Sequence, residues 1–106
     1  MRIGFIGTGA MAQAIARGAV ASGVDPATLV FSNRTAAKAC ELADELGATA
    51  ASSNTSLARQ VDIIILAVKP KDQRTVIKEI ASIVVGRPDA CVVSLAAGRT
   101  LDQLVG

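Results

Sequence analysis

The chain has 106 residues, of which 51% are hydrophobic but only two are aromatic, and its net charge is +2 at neutral pH. This length suits one domain with a real core but not two, and the core has to be built from Ala, Val, Ile and Leu. The small, mixed charge argues against a broad basic surface for nucleic acid. The longest apolar run, residues 63–68, is too short to span a membrane.

Few residue types that carry chemistry are present. Histidine is absent, which removes the commonest general base and metal ligand. Cys40 and Cys91 have neither metal-ligand nor C-x-x-C spacing, and we expect both to pack as small apolar side chains. We therefore predict no metal site and no catalytic residue in this segment. A reduced, cytoplasmic protein without a signal peptide is the expectation.

Short apolar runs alternate with longer stretches of helical period. In the first half this pattern predicts a strand at 2–6, a helix at 9–22, a strand at 28–32, a helix at 36–46 and a short strand at 48–51. Thr35 is the expected cap of the second helix, and Gly23 and Gly47 mark the two helix ends. The predicted apolar face of the first helix comprises Met11, Ala12, Ile15, Ala16, Ala19 and Val20.

The same alternation continues in the second half. Asn54 or Ser53 begins a brief helix that leads into a strand at 61–68, apolar enough to be covered on both faces. Lys69-Pro70 stops this strand, a helix follows at 72–85, and the last strand is predicted at 90–95, with Thr100 capping a final helical turn. This order predicts an α/β fold, a Rossmann-like doubly wound parallel sheet in three αβα layers, as one domain over residues 1–106.

A glycine motif, G-x-G-x-x-A, lies at Gly7, Gly9 and Ala12, directly after the first strand and at the start of a helix. Gly7 would allow the tight turn, Gly9 would let the backbone approach a pyrophosphate, and Ala12 would keep helix and strand close. The helix start then offers unpaired N–H groups and a positive dipole end to phosphates. The alternative is a tight turn of small residues with no ligand. The strand, turn, helix and second strand in order favour a dinucleotide site.

The end of the second strand lacks the acid that typically accepts hydrogen bonds from the adenine ribose of NAD. Ser32, Asn33 and Arg34 stand there instead. Arg34 can bind a 2′-phosphate through its guanidinium fork, and Asn33, Ser32 or Thr35 can add hydrogen bonds. We therefore predict that NADPH is preferred, with NADH as the alternative cofactor. The competing interpretation is that Arg34 is an ordinary solvated loop charge.

Three motifs together carry a family resemblance: M-R-I-G-F-I-G-T-G-A-M-A at the start, L-A-V-K-P at 66–70 and S-L-A-A-G at 94–98. Along essentially the whole chain the sequence resembles the N-terminal domain of the pyrroline-5-carboxylate reductases. The resemblance implies the last step of proline biosynthesis, in which a nicotinamide cofactor gives hydride to the C=N carbon of 1-pyrroline-5-carboxylate and L-proline forms.

By motif match, the resemblance also implies which residues contact the cofactor. Those expected at the pyrophosphate loop are Ile6, Gly7, Thr8, Gly9, Ala10 and Met11. Those expected at the adenosine end are Ser32, Asn33, Arg34, Thr35 and Asn54. Ala67, Val68, Lys69 and Pro70 would run beside the central and nicotinamide-ribose region, and Ala96, Ala97 and Gly98 would lie near the nicotinamide.

Several of these residues also have a purely structural interpretation. Lys69-Pro70 can simply terminate a strand, because proline cannot continue the hydrogen-bond ladder. The residues 96–98 can be an exit turn of small residues. Asn54 is as good an N-cap as a ligand contact, and the two roles can coexist.

The resemblance further implies a second, all-helical domain that forms the dimer and much of the imino-acid pocket, and the sequence stops at Gly106 before it. We expect a homo-oligomeric parent protein, and a fragment that binds cofactor but is nearly inactive alone, because half a site cannot hold donor and acceptor together. The alternatives are the NADP-binding domain of a related 2-hydroxy-acid or deazaflavin-type reductase, and a non-enzymatic nucleotide-sensing module.

Overall fold

The computed structural model describes residues 1–87 and 89–94. Within these ranges the elements are β1 (Ile3–Ile6), α1 (Ala10–Ala21), a 3₁₀ turn (Pro26–Thr28), β2 (Leu29–Ser32), α2 (Ala36–Leu46), β3 (Thr49–Ala50), α3 (Asn54–Gln60), β4 (Ile63–Leu66), α4 (Pro70–Val85) and β5 (Cys91–Ser94). The end of the last predicted strand, the turn at Ala96, Ala97 and Gly98, and the helical turn at Thr100 lie outside the described residues.

All strand pairs are parallel, and the strand order is β3-β2-β1-β4-β5. The chain moves outward from β1 through β2 to β3 and then crosses back to β4, on the other side of β1. The connections after β1 and β4 therefore diverge at neighbouring strand ends and leave a crevice between them. This is the Rossmann-like α/β fold predicted from the sequence.

Two apolar clusters pack on opposite faces of the sheet. One combines side chains of the sheet with those of α3 and α4: Ile6, Val30, Leu57, Ala58, Val61, Ile64, Leu66, Val76 and Ile80. The other combines the sheet with α1 and α2: Phe5, Ala12, Ala16, Leu29, Phe31, Ala39, Leu42 and Ala43. Neighbouring strand residues point to opposite faces, so the three central strands β1, β2 and β4 contribute to both clusters. The predicted three-layer αβα arrangement is confirmed.

The buried face of α1 is narrower than predicted. Ala12 and Ala16 are fully buried, whereas Met11 is 58% and Ile15 38% exposed. The alanines sit at i and i+4 and bring the helix backbone close to the sheet, and a residue one position earlier points about 100° away around the helix. The prediction that Met11 and Ile15 belong to the same apolar face as the buried alanines was wrong for this reason.

Both cysteines are exposed, so the prediction that they pack as small apolar side chains was also wrong. Cys40 follows the buried Ala39 and therefore points away from the sheet. Cys91 begins β5, which pairs only with β4 among the described strands.

Helix starts differ in detail from the predictions. Thr35 is at the N-cap position of α2, but its side chain makes no capping hydrogen bond to a described residue. Helix α4 begins at Pro70, two residues earlier than predicted, with Lys69 at the N-cap position. Proline suits the first helical position because the N–H that it lacks would have had no partner there. Within residues 1–87 and 89–94, none of the helices combines the length and apolar character needed to cross a bilayer.

Candidate functional site

Three central strands end at the same level of the sheet. Ile6, the last residue of β1, is in register with Ser32 at the end of β2 and with Leu66 at the end of β4. The connections that follow these strands therefore emerge side by side. Any ligand at the crevice touches the glycine loop after β1, the segment after β2 and the segment after β4.

Gly7 makes the first turn after β1 possible. Its φ is +101°, and a Cβ atom there would lie 2.8 Å from the carbonyl oxygen of Ala67. Its N–H donates to the carbonyl of Ser32 at 2.8 Å. The backbone at Gly7 is therefore held between the β2 and β4 ends, and only glycine fits both the dihedral angle and the space.

Gly9 differs from Gly7, because nothing in the fold requires a glycine there. It occupies the N-cap position of α1 in an extended conformation, with φ −70° and ψ 179°. A Cβ atom at Gly9 would meet no atom of the described residues within 4 Å. The missing side chain therefore leaves open space directly in front of the α1 N-terminus, where unpaired amides favour an anion.

Thr8, between these glycines, carries a buried polar atom without a partner. The residue is only 6% exposed, and its Oγ1 has no hydrogen-bond partner among the described residues. Its carbonyl oxygen accepts a hydrogen bond from Nε2 of Gln13 at 2.9 Å. Buried hydroxyls are nearly always satisfied, so this Oγ1 is a donor that fits a ligand oxygen beside the glycine loop.

At the end of β2 the predicted adenosine residues make three separate polar contacts. Ser32 is 2% exposed and its Oγ donates to Oδ1 of Asn54 at 2.7 Å. Asn33 donates through Nδ2 to the carbonyl of Thr35 at 3.2 Å. Arg34, with 85% of its side chain exposed, forms an ion pair with Asp72 at 3.3 Å between Nη2 and Oδ1.

At the start of α3, Ser53 and not Asn54 is the N-cap, which decides between two roles that the sequence allowed for Asn54: helix cap and ligand contact. Ser53 is the N-cap, and its Oγ accepts a hydrogen bond from the N–H of Ser56 at 3.1 Å. Asn54 is the first helical residue, and its Nδ2 lies 3.4 Å from Oε2 of Glu79 on α4. The Asn54 side chain is therefore not occupied by capping and faces the crevice between Ser32 and Glu79.

Two adjoining cavities lie over these strand ends. The smaller has a volume of about 260 Å³ and is lined by Ile6, Gly7, Asn33, Arg34, Asn54, Val68, Asp72, Thr75, Val76 and Glu79. The larger has a volume of about 380 Å³ and is lined by Gly7, Thr8, Gly9, Asn33, Arg34, Thr35, Lys38, Ala67, Val68, Lys69, Lys71 and Asp72. Four cationic side chains and one carboxylate line the larger cavity, which suits a polyanionic ligand.

Most of the described residues predicted as contacts line one of these cavities, and four do not: Ala10, Met11, Ser32 and Pro70. Ala10 and Met11 form the first turn of α1, where backbone amides rather than side chains face the open space at Gly9. Ser32 reaches the crevice only through Asn54. Pro70 begins α4.

Sequence reasoning missed the α4 wall of the smaller cavity. Asp72, Thr75 and Glu79 are spaced i, i+3 and i+7 and therefore share one helix face. That spacing, directly after L-A-V-K-P, is a signal that could have identified them. Among residues 1–87 and 89–94, no group of three or more cysteines and carboxylates is placed to hold a metal ion.

A parallel sheet with a glycine loop at its switch point, a buried unpartnered hydroxyl and a cationic cavity defines a dinucleotide-binding domain of the Rossmann class. A family model described as "NADP oxidoreductase coenzyme F420-dependent" matches residues 2–98. The chain belongs to this family.

Individual relatives confirm the resemblance seen in the motifs. The chain is 44% identical over 104 residues to the pyrroline-5-carboxylate reductase of Escherichia coli (strain K12), covering 97% of this chain and 38% of that protein. The Glycine max protein of the same name is 38% identical over 106 residues, covering 96% of this chain and 37% of that protein. The chain therefore spans less than two-fifths of the length of these relatives.

Solved structures give the same picture. A pyrroline-5-carboxylate reductase from Coxiella burnetii has a TM-score of 0.87 at 33% identity, over 97% of this chain and 38% of that one. A Plasmodium falciparum pyrroline carboxylate reductase with NADP bound has a TM-score of 0.79 at 26% identity, over 98% of this chain and 36% of that one.

Proposed function

We propose that this chain is the NADPH-binding domain of a pyrroline-5-carboxylate reductase, which transfers hydride to the C=N carbon of 1-pyrroline-5-carboxylate to give L-proline. The observation that carries the proposal is the 44% identity to a reductase of that name over 97% of the chain. We propose residues 1–106 as one nucleotide-binding domain. The imino-acid pocket and subunit contacts are assigned to the part of the relatives that this chain does not span.

The glycine loop fits the pyrophosphate of such a cofactor. Open space at Gly9 lets the pyrophosphate approach the first amides of α1, at Ala10 and Met11. The Thr8 hydroxyl, buried and without a partner among the described residues, would donate to a phosphate oxygen. Lys38, Lys69 and Lys71 add positive charge around the same cavity.

The smaller cavity fits the adenosine half. Asn33 and Asn54 line it, and Ser32 fixes the orientation of Asn54 through the 2.7 Å hydrogen bond. Arg34 lies at its mouth and would bind the 2′-phosphate that distinguishes NADPH from NADH. The NADP-bound Plasmodium relative supports this choice of cofactor. We propose that NADPH is preferred and that NADH is the weaker alternative.

The segment after β4 would position the nicotinamide half. The Ala67 N–H donates to the Ile6 carbonyl at 2.8 Å, which keeps residues 67–70 beside the glycine loop. We propose that Ala67, Val68, Lys69 and Pro70 run along the nicotinamide ribose and that Ala96, Ala97 and Gly98 lie near the nicotinamide.

When bound, NADPH supplies the hydride, so the domain needs no nucleophile of its own. A protonated imine is already electrophilic, and the residues of this chain bind the cofactor, orient it and exclude water from it. Residues 1–106 alone should bind cofactor and turn over poorly.

A deazaflavin-type reductase is the second candidate, because the matching family is described as coenzyme F420-dependent. Both candidates share the NADPH site and differ in the partner that exchanges hydride with it. The test is NADPH oxidation by the complete protein, offered either 1-pyrroline-5-carboxylate or coenzyme F420. NADPH oxidation with 1-pyrroline-5-carboxylate but not with coenzyme F420 supports the proposal. NADPH oxidation with coenzyme F420 but not with 1-pyrroline-5-carboxylate overturns it. We also propose a cytoplasmic homo-oligomer, to be tested by cell fractionation and light scattering.

A further inference from the structure

One ion pair lies where the two cavities meet. Arg34 and Asp72 both line the smaller and the larger cavity, and their Nη2 and Oδ1 atoms are 3.3 Å apart. The pair connects the segment after β2 to the first turn of α4, across the crevice. A dinucleotide that fills both cavities has to pass the place that this pair occupies.

The two partners differ in how firmly they are held. The side chain of Asp72 is 29% exposed, and its backbone N–H donates to the Lys69 carbonyl at 2.9 Å. The side chain of Arg34 is 85% exposed. Asp72 is therefore the fixed partner, and Arg34 is the one that moves when the pair opens.

We infer that Asp72 is a specificity-determining residue of the cofactor site, which holds Arg34 in the free protein and competes with the 2′-phosphate of NADPH for it. This inference rests on the proposed function. In the free protein the Asp72 carboxylate is bound to the Arg34 guanidinium, to which the 2′-phosphate of NADPH would bind. The 2′-phosphate of NADPH has to displace the Asp72 carboxylate from Arg34 or bind beside it, and in both cases the preference for NADPH that Arg34 provides is smaller than it would be without Asp72.

Geometry gives the reason for this effect. While the ion pair stays closed, a phosphate oxygen bonded to the same Arg34 guanidinium would lie within about 6–7 Å of the Asp72 carboxylate, because each hydrogen bond spans about 3 Å. That separation is shorter than the Debye length of about 8 Å at physiological salt, so the two anions repel each other. NADH carries a neutral hydroxyl at this position and feels no such repulsion. Lys38, Lys69 and Lys71 line the larger cavity and act on both cofactors alike.

The test is equilibrium titration of the complete protein with NADPH and with NADH, before and after Asp72→Asn. Asparagine keeps the size of the side chain and removes its charge. We expect about two- to fivefold tighter NADPH binding, on the scale of exposed charge interactions, and a change of less than about twofold for NADH. The affinity for adenosine 2′,5′-bisphosphate should rise as the affinity for NADPH does, whereas the affinity for 5′-AMP should not change.

Asp44→Asn is the matched control, because it removes the same charge from the exposed side of α2 and should leave both affinities unchanged. Asp72→Ser, which also suits a first helical turn, should change the affinities in the same direction as Asp72→Asn. Unchanged or weaker NADPH binding by folded Asp72→Asn protein would overturn the inference about Asp72 and leave the proposed function intact. Failure of the unmodified protein to bind either cofactor would instead overturn the proposed function.

Discussion

Gln13 and Gln73 make the same hydrogen bond in two different strand–helix connections. Nε2 of Gln13 donates to the carbonyl of Thr8 at 2.9 Å, and Nε2 of Gln73 donates to the carbonyl of Val68 at 3.2 Å, each five residues back. Each amide ties a loop over the crevice to the helix that follows it. Gln73 is also 2% exposed and accepts a hydrogen bond from Ser94 Oγ at 2.8 Å, so it joins α4 to β5 as well.

Gln73→Leu should lower the free energy of unfolding by about 1–3 kcal/mol, because the half-buried Val68 carbonyl loses its donor and the buried Ser94 hydroxyl loses the Gln73 acceptor. Gln13→Leu should lower the free energy of unfolding by a smaller amount, since Gln13 is only half-buried and water can replace its amide. Urea unfolding of the two variants gives the comparison. Equal stability of Gln73→Leu and the unmodified protein would show that the buried amide contributes nothing.

Substitution of the two glycines of the loop should affect different properties of the protein. Gly7→Ala should destabilise the fold by about 2 kcal/mol or more, because of its positive φ and the 2.8 Å approach to Ala67. Gly9→Ala should leave the thermal midpoint nearly unchanged and weaken NADPH binding about tenfold or more, because the methyl group enters the space of the pyrophosphate. Thermal unfolding and NADPH titration separate the two effects. If Gly9→Ala binds NADPH as tightly as the unmodified protein, the pyrophosphate does not lie at Gly9.

Arg34→Ala should abolish the preference for the phosphorylated cofactor. NADPH affinity should fall about tenfold or more, since a charge-assisted hydrogen bond contributes about 1.5–3 kcal/mol, while NADH affinity should change less than about twofold. The exposed Arg59 at the end of α3 provides a control of equal charge in Arg59→Ala. If NADPH and NADH bind equally well to the unmodified protein, and Arg34→Ala changes neither, Arg34 is only a solvated loop charge.

Neighbouring residues at the start of α3 should separate stability from binding. Ser53→Ala removes the N-cap and should cost about 1 kcal/mol of stability with unchanged NADPH affinity. Asn54→Ala should weaken NADPH binding, because Asn54 faces the smaller cavity, and it should also lower stability by about 1–3 kcal/mol, because the buried Ser32 hydroxyl loses its acceptor. Both quantities are measured on both variants. Equal NADPH affinity in Asn54→Ala and the unmodified protein would exclude Asn54 from the site.

A surface ion pair gives a pH prediction away from the crevice. Nε and Nη2 of Arg17 hold the two carboxylate oxygens of Glu45 at 2.7 and 2.9 Å, and this hydrogen bonding lowers the pKa of Glu45. A lowered pKa in the folded state means that the stabilisation is present above the unfolded pKa and is lost as the pH falls through the folded one. Both side chains are about half exposed, so the effect on stability is small.

Carbon NMR titration of the Glu45 carboxyl group is the direct measurement of this shift. The midpoint should lie below the usual range for glutamate and rise in Arg17→Gln. An unchanged midpoint in Arg17→Gln would contradict the assignment of the shift to Arg17.

Local signals explain which parts of the fold were predictable. The bounds of α2 were predicted correctly because Gly47, at φ +75°, provides the left-handed end that such a helix favours. Met11 and Ile15 were misplaced because helical period alone does not show how closely the alanine stripe approaches the sheet. The brief 3₁₀ turn at Pro26–Thr28, in which the Asp25 side chain accepts a hydrogen bond from the Ala27 N–H, includes Thr28, the first residue of the strand predicted at 28–32.

The candidate site was predictable where its residues follow strand ends. The glycine loop and residues 32–35 could be predicted to lie at one place because the carboxyl ends of parallel strands share one edge of the sheet. Asp72 and Glu79 were missed because they reach the site from a helix face. Arg34 and Asp72 are 38 residues apart in sequence, and only the crossover from β3 to β4 brings them together.

The core also determines how the domain behaves optically. Phe5 and Phe31, stacked with their ring centroids 5.2 Å apart, are the only aromatic side chains in residues 1–106. Without tryptophan or tyrosine, this part of the protein neither competes for excitation with a reduced nicotinamide nor transfers energy to it. The emission of bound NADPH would therefore report its own surroundings directly. Near-ultraviolet circular dichroism of the two rings, one residue before Ile6 and Ser32, would report the packing beneath the crevice.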